Sequence, residues 1–234
     1  MMTRTSTLNR VDRVLLGMGL VIPVWLTIGV GLTALAYPGY SHVDHALSRL
    51  GAIDAPTQGF SAWINNLPLG VLFVLVALGL ARRFRGSRLA RLSAALILLN
   101  GLASFATGVF PCDQGCAPVQ PSRSQTLHNL AGLVMFLSLT LASALWGRLG
   151  RRLLASPGFA CFSILCTALA LVTAALMAGA VTDGQGFGLY QRLNYATGVC
   201  WLAVLAWLEG RDQRALRSDS LSAPPRARTR PDRR

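Results

Sequence analysis

The chain of 234 residues is unusually apolar and at the same time strongly basic. Hydrophobic residues make up 53% of it and charged residues 13%, and the formal net charge is +13. This composition excludes an ordinary soluble domain and indicates a polytopic membrane protein. It also argues against a nucleic-acid partner, because the sequence offers no folded basic domain to carry the positive charge.

Six apolar blocks are long enough to cross a hydrocarbon core of about 30 Å as helices. They run from Val14 to Tyr37, Ile64 to Arg82, Leu89 to Phe110, Leu127 to Trp146, Phe159 to Val181 and Phe187 to Leu208. No small-residue cleavage site follows the first block, so we expect an uncleaved helix rather than a signal peptide. The sequence therefore predicts an all-α membrane bundle over residues 1–210, with six transmembrane helices in three antiparallel hairpins.

The arginines predict the orientation of this bundle. All 22 basic residues are arginine, and 19 of them lie at the N-terminus, in residues 82–91, in residues 148–152 or after Glu209. Positive residues accumulate on the cytoplasmic side, so we expect both termini in the cytoplasm of a multi-pass protein of the bacterial plasma (inner) membrane, in contact with membrane lipids. Residues 211–234 are rich in arginine, proline and serine, which predicts a disordered basic cytoplasmic tail.

The first outer loop contains the segment YSHVDHALSRLG, residues 40–51. Wound as a helix, it places alanine, valine and leucine side chains on one arc and polar side chains, including Ser48 and Arg49, on the other. The segment therefore predicts a short amphipathic helix from Ser41 to Leu50 that lies on the membrane surface and turns its polar side toward the other outer loops.

The second outer loop contains two cysteines, Cys112 and Cys116. On the oxidising side of a membrane, two cysteines four residues apart most simply form a disulfide. A zinc site is the alternative, with His128 and either His42 or His45 as further ligands, but the spacing matches no standard zinc pattern. We therefore predict a disulfide, and neither a metal nor another cofactor.

Polar residues within the apolar blocks are expected to face the interior of the bundle. Asn100, Ser104 and Thr107 follow helical spacing in the third block, and an asparagine in the hydrocarbon core needs hydrogen-bond partners. This stripe predicts hydrogen bonds between helices.

Four further polar residues lie near the outer ends of the predicted helices, namely Asp113, His128, Arg192 and Tyr195. An unpaired charge at this depth is costly, whereas pairing between loops recovers part of the cost. We therefore expect the outer loops to form one polar pocket in which aspartates pair with arginines, with Asp113 close to Arg192.

Several short motifs carry a resemblance to a known family. The stretches ALSRLGA, GVFPCDQGC, HNLAG and GLYQRLNY, in this order, resemble the six-helix bacterial membrane proteins grouped as domain of unknown function 998, over Val14 to Trp207. The matching positions are Ser48, Leu50, Gly51, Pro111, Asp113, His128 and Arg192. The resemblance implies a fold and a set of outer-face positions, but no activity. The first loop is also distantly similar to the Frag1/DRAM/Sfk1 membrane proteins, which are linked to lipid handling.

Two hypotheses of function follow from these residues. In the first, the outer pocket binds a lipid headgroup, a small amphiphile or another membrane protein, through Ser48, Arg49, Asp113, His128, Arg192 and Tyr195. In the second, the protein is an outer-face hydrolase or transferase acting on a lipid-linked substrate, with Ser48 as nucleophile, His128 as base, Asp113 orienting the histidine and Arg192 binding the substrate anion. A transporter is disfavoured, because the centres of the helices hold almost no ionisable residues.

Overall fold

A computed structural model describes residues 9–222, with side chains described through residue 211. Every regular element in this part of the chain is helical. The long helices are α1 (Arg10–Leu35), α2 (Gln58–Arg83), α3 (Arg88–Val109), α4 (Arg123–Leu153), α5 (Pro157–Asp183) and α6 (Phe187–Ser222). Two short 3-10 helices, Leu47–Gly51 and Gln114–Cys116, lie in the loops, and α2 contains one π-helical turn, Ala62–Asn66.

The six long helices coincide with the six apolar blocks, which confirms the prediction of an all-helical bundle. Five of them, α1 to α5, are long and apolar enough to cross a membrane. The last helix, α6, carries several polar side chains near its start and runs to Ser222, past the predicted domain boundary at residue 210. The rest of the predicted tail, residues 223–234, lies outside the described residues.

Serine side chains cap three of the long helices at their first turn. The hydroxyl oxygens of Ser87, Ser122 and Ser156 accept hydrogen bonds from backbone N–H groups three residues further on, at 3.3, 3.1 and 3.2 Å. Such a cap pairs one of the N–H groups that a helix start leaves free. The cap at Ser122 explains why α4 begins at Arg123, one turn before the start that hydropathy predicts.

The helices form a closed ring. Each packs against its neighbours along the chain, and α6 packs against α1. The interior is filled over much of its length by large buried side chains, among them Phe73, Trp146 and Trp201. The indole of Trp146 donates to Ser93 Oγ at 2.9 Å, so its polar edge is paired within the core.

The two ends of the ring differ. The long-loop end is formed by residues 36–57, 110–122 and 184–186, and the short-loop end by residues 84–87 and 154–156. The arginine distribution predicts that the long-loop end is the outer face.

Two ion pairs occur among the described residues, and both lie at the short-loop end. Arg82 Nε donates to Asp12 Oδ1 at 2.5 Å, and Arg83 Nε donates to Glu209 Oε2 at 2.7 Å. The second pair is buried and joins α2 to α6. The expected pairing of aspartates with arginines at the long-loop end is therefore wrong for the described residues.

The predicted polar stripe of α3 faces the interior, as expected. Asn100 and Ser104 are buried, and Ser104 Oγ donates to the carbonyl oxygen of Asn66 at 2.8 Å. The Asn66 side chain in turn donates to Thr107 Oγ1 at 2.8 Å. Ser104 and Thr107 thus join α3 to α2, which confirms the predicted hydrogen bonds between helices for these two residues. The side chain of Asn100 has no hydrogen-bond partner among residues 9–211, so the prediction is wrong for it.

The predicted amphipathic helix from Ser41 to Leu50 is wrong. Residues 42–45 form turns, and only Leu47–Gly51 is helical, with 3-10 geometry. The reason is that backbone groups which an α-helix would pair internally are bound from elsewhere: the N–H of Leu47 donates to Gln191 Oε1 at 2.6 Å, and the carbonyl of Ala46 accepts from the Tyr40 hydroxyl at 2.9 Å.

Candidate functional site

The first loop caps the start of α6. The N–H of Leu189 donates to the carbonyl of Val43 at 2.8 Å, and the N–H of Gly186 donates to Asp44 Oδ1 at 3.0 Å. N–H groups at the start of a helix have no partners within it, and a carboxylate there is favoured by the helix dipole. The loop is therefore fixed to α6 by backbone N–H groups that have no partner within the helix.

Arg192 holds the same loop from the second turn of α6. Its guanidinium donates to the Tyr40 hydroxyl at 2.5 Å, to the His45 carbonyl at 3.1 Å and to the Gly188 carbonyl at 2.8 Å. The loop lies so close that a side chain at residue 188 would overlap the His45 carbonyl. The guanidinium is thus bound to the protein's own loop.

The first loop should loosen at acidic pH because of His45. Its Nδ1 accepts a hydrogen bond from the Ser41 N–H at 3.0 Å, which requires the neutral ring. Burial and the nearby charges of Arg49 and Arg192 lower the pKa of His45 below its ordinary value of 6.5, while Asp44 acts in the opposite direction. The stabilising contribution is complete above about pH 6.5 and is lost as the pH falls toward the lowered folded pKa, because the unfolded chain then binds the proton more readily.

We therefore expect the melting temperature of the purified protein to fall between about pH 7 and pH 5, and to fall less in a His45→Gln variant. Glutamine offers an acceptor oxygen that does not titrate. A variant with the same pH profile as the unmodified protein would contradict this role of His45.

The second loop is closed by a disulfide between Cys112 and Cys116, as predicted. The bridge uses both sulfur atoms, so the alternative zinc site, which needs them as thiolates, does not form. Asp113 between them accepts two hydrogen bonds from Ser122, from the N–H at 2.9 Å and from the hydroxyl at 2.5 Å. These two bonds lower the pKa of the Asp113 carboxyl and fix the loop to the start of α4.

The disulfide predicts a labelling pattern. An alkylating reagent should modify neither Cys112 nor Cys116 in intact cells until a reductant is added. In a Cys112→Ser variant, Cys116 should be alkylated without reduction, which shows that the reagent reaches the loop. Peptide mass analysis reads the result, and alkylation of both cysteines in untreated protein would exclude the bridge.

His128 lies in the second turn of α4 and binds the end of α3. Its Nδ1 lies 2.8 Å from the carbonyl oxygen of Phe110. A carbonyl only accepts, so Nδ1 carries the proton and Nε2 of the neutral ring has a free lone pair. The ring is therefore oriented by the backbone, and it presents an acceptor nitrogen.

A cavity of about 560 Å³ occupies the long-loop half of the ring. All six helices line it, and so do Cys116 and five residues of the first loop, namely Ala46, Leu47, Ser48, Leu50 and Gly51. Its apolar lining includes Leu26, Leu69 and Phe136. Its polar lining consists of Ser48, Ser61, Asn65, Asn66, Ser104, Thr107, His128, Asn129, Gln191, Asn194 and Tyr195. No aspartate, glutamate, lysine or arginine belongs to the lining within the described part of the chain.

The cavity reaches well into the ring. Tyr195 lines it from a position roughly 12 Å below the first residue of α6, at a rise of about 1.5 Å per residue. The hydroxyl of Tyr195 and Oδ1 of Asn65 are buried and have no hydrogen-bond partner among residues 9–211. Buried polar atoms of this kind usually bind water or a ligand.

A π-helical turn in α2 brings two asparagines to the cavity. Pro68 has no N–H, so the carbonyl of Ile64 lacks the donor four residues further on that an α-helix would supply. The indole of Trp25 donates to this carbonyl at 2.8 Å. The π-turn contains Asn65 and Asn66, and both of them line the cavity. Asn65 Nδ2 donates to Thr33 Oγ1 at 3.0 Å. π-turns of this type often occur at functional sites.

The predicted site residues fall into two groups. Ser48, His128 and Tyr195 line the cavity, whereas Arg49, Asp113 and Arg192 do not. The expected contact between Asp113 and Arg192 is wrong: the carboxylate binds Ser122, and the guanidinium binds the first loop. Both side chains instead stabilise the starts of helices.

Sequence reasoning missed Asn65, Asn66 and Glu209. Two adjacent asparagines followed at once by Leu67 and Pro68 are unusual inside an apolar block, and the proline at this spacing could have indicated the π-turn. Glu209 is a single acid at the end of the last apolar block, which could have indicated a buried partner.

The comparisons with known proteins give one match. The family described as "Protein of unknown function (DUF998)" matches residues 20–208. No curated protein and no solved structure matches the chain.

Proposed function

Because the chain belongs to the DUF998 family, whose description assigns no activity, we propose a function from the geometry: the protein binds a membrane amphiphile in the cavity at its long-loop end. The single observation that carries the proposal is the cavity itself. Its volume falls in the range of small-molecule sites, and such sites combine an apolar lining with a few polar groups. The amides and hydroxyls of the lining provide those polar groups.

The proposal includes the membrane topology. Residues 1–210 form one domain of six membrane-spanning helices, α6 being the sixth, and residues 211–234 form a basic cytoplasmic tail. The long-loop end faces outward from the bacterial inner membrane. The arginine distribution supports this orientation, since 19 of 22 arginines lie at the short-loop end or near the termini. Gly188 and Gly198 let α6 lie close to the first loop and to Leu139 of α4, so that α6 packs in the ring although it is less apolar than the others.

Reporter fusions test the orientation. After Arg217, a reporter that works only in the cytoplasm should be active. In the loop at Val119, which is fully exposed, a reporter that works only outside the cytoplasm should be active. The reverse pattern would overturn the proposed topology.

The binding function is tested with two neighbouring alanines of α5. Ala174 lines the cavity, whereas Ala175 is exposed and does not belong to the lining. An Ala174→Trp substitution fills part of the cavity, so lipid retained by the purified protein and detected by native mass spectrometry should fall at least about tenfold. An Ala175→Trp variant is the matched control and should retain lipid like the unmodified protein. Unmodified protein without bound lipid, or equal retention in both variants, would refute the proposal.

An enzymatic function is the second candidate. It is favoured by one observation: Ser48 and His128 line the same cavity, and the Phe110 carbonyl leaves Nε2 of His128 free to accept a proton. In this candidate the Phe110 carbonyl orients the histidine, because Asp113 is bound to Ser122. Turnover of a lipid-linked ester that is lost in both Ser48→Ala and His128→Gln would favour it over binding alone.

A further inference from the structure

The cavity is covered at the long-loop end. Leu50 and Ala52 of the first loop are each 1% exposed, and the N–H of Ile53 donates to the Cys112 carbonyl at 2.8 Å, which joins the two loops. Arg192 and Gln191 bind the first loop to α6. A ligand arriving from water would therefore meet two loops that are bonded to each other and to the helices.

The exposed residues of the cavity lining all lie on α4, and helical spacing places Gly132 on the face of α4 that packs against α5. Near the short-loop end these helices touch: a side chain at residue 150 would lie 3.0 Å from the backbone of Ala160, and Ser143 bonds Thr167 at 2.8 Å. Nearer the long-loop end, Gly132 of α4 lines the cavity and has open space beside it. Leu133 also lines the cavity and is 52% exposed.

One stretch of α4 therefore belongs to both the cavity wall and the outer surface of the ring. It contains Asn129, Gly132 and Leu133, which line the cavity and are also exposed. On the facing helix, Ala174 and Met177 line the cavity. In a membrane, an opening at this depth faces acyl chains of the outer leaflet, since it lies within the long-loop half of the helices.

The lining selects the chemistry of the headgroup. Amides and hydroxyls surround the cavity, and none of its described lining residues carries a permanent charge. Burying a phosphate without a cationic partner is strongly unfavourable, whereas hydroxyl or amide groups find donors and acceptors there. Arg49 and Arg192, the nearest arginines, do not belong to the lining. Nη1 and Nη2 of Arg192 already donate to three oxygen atoms of the protein, whereas the Nε atoms of both arginines are buried without a partner among residues 9–211.

We propose that the cavity binds an outer-leaflet lipid with an uncharged polar head, which enters sideways between α4 and α5. This proposal rests on the proposed binding function. The head bonds to the asparagines of the π-turn and to Tyr195. The volume of about 560 Å³ suits a drug-sized ligand, so the head and upper chain lie inside while the remaining chain extends through the opening.

The headgroup is tested with photoreactive lipids in phosphatidylcholine vesicles that contain the full-length protein. One probe is a diacylglycerol, which is uncharged, and the other is a phosphatidylglycerol. Both carry the diazirine at the head end of one acyl chain, in the part that the proposal places inside the cavity. Labelling is mapped at Asn65 and Tyr195, which line the cavity. The diacylglycerol should label these positions at least about tenfold more than the phosphatidylglycerol. Equal labelling, or preference for the anionic probe, would overturn the uncharged head.

The route is tested with matched glycines. Gly132 lines the opening, whereas Gly179 of α5 does not, and neither has a neighbour that an added side chain would meet. In the series Gly132→Ala, Gly132→Leu and Gly132→Trp, both the uptake and the release of the diacylglycerol probe should slow with side-chain size, by at least about tenfold for tryptophan. The same series at Gly179 should change neither rate. The graded series keeps the test valid even if one variant fails to fold.

The outcomes separate this proposal from the one on which it rests. Unchanged rates in the Gly132 series, with Asn65 and Tyr195 still labelled, would overturn sideways entry and leave the binding function in place. A lower final occupancy with unchanged rates would mean that residue 132 only fills space, and would also overturn the route. Absence of labelling with either probe would overturn both proposals.

Discussion

Replacing Glu209 by alanine is expected to lower the free energy of unfolding by about 3–5 kcal/mol. Glu209 and its partner Arg83 have side chains only 1% and 8% exposed, and their ion pair joins α2 to α6 at 2.7 Å. Without the carboxylate, the guanidinium is left buried and unpaired. Thermal or denaturant unfolding of the purified protein measures the loss.

Two further variants make this expectation specific. Asp183→Ala removes an exposed acid at the end of α5 and should change stability by less than about 0.5 kcal/mol. Replacing both Arg83 and Glu209 by leucine should be much less harmful than Glu209→Ala, because no charge is then left buried. The single variants Arg83→Leu and Glu209→Leu complete a double-mutant cycle, in which additive effects would show that the two residues do not interact.

Replacing Arg192 by alanine should cost about 1.5–3 kcal/mol and release the first loop from α6. The substitution removes hydrogen bonds to Tyr40 and to the carbonyls of His45 and Gly188. Hydrogen exchange of residues 40–51 should accelerate, and the melting temperature should fall. Lysine should not restore either property, because it lacks the planar donor geometry of arginine.

Arg123→Ala is the control for this second variant. Arg123 is the exposed first residue of α4, so its loss should leave exchange in the first loop unchanged. If exchange in residues 40–51 stayed slow in Arg192→Ala, the loop would be held by other contacts, such as that of Gln191 with Leu47.

The helices could be predicted from the sequence because hydropathy is a local property. Each apolar block must satisfy its own backbone hydrogen bonds in a membrane, and a helix does so with residues that are near in sequence. Serine caps and Pro157 then determine helix starts, again locally. The closure of the ring between α1 and α6 carries no such local signal.

The first loop could not be predicted in the same way. Its amphipathic pattern is real, but Gln191 and Arg192 bind its backbone from about 145 residues away and exclude the regular helix. The same limit applies to Asp113, whose nearest partner in space is the cap residue Ser122 rather than a distant arginine. A hydrogen bond to a nearby serine does not require an arginine to lose its hydration. An ion pair with a distant arginine does carry this cost, so the local hydrogen bond can be the more favourable.

The candidate site was predicted only in part for a related reason. Ser48, His128 and Tyr195 were recognised as polar residues near helix ends, and they line the cavity. Asn65 and Asn66 were not recognised, because a periodic α-helix would direct them to different sides. In the structure both line the cavity, and both lie in the π-turn.

The closed ring also has a consequence for biosynthesis. When α5 has left the ribosome, α1 still lacks its second neighbour, and Gly19 lacks the contact with Ala206 that it has in the finished protein. The final helix must therefore insert between α1, which is synthesised first, and α5, which is synthesised just before it. A chain that stops before residue 187 lacks both one wall of the cavity and the residues that hold its cover. Such a fragment exposes polar surface to lipid, a feature by which membrane quality control can distinguish unfinished chains from finished ones.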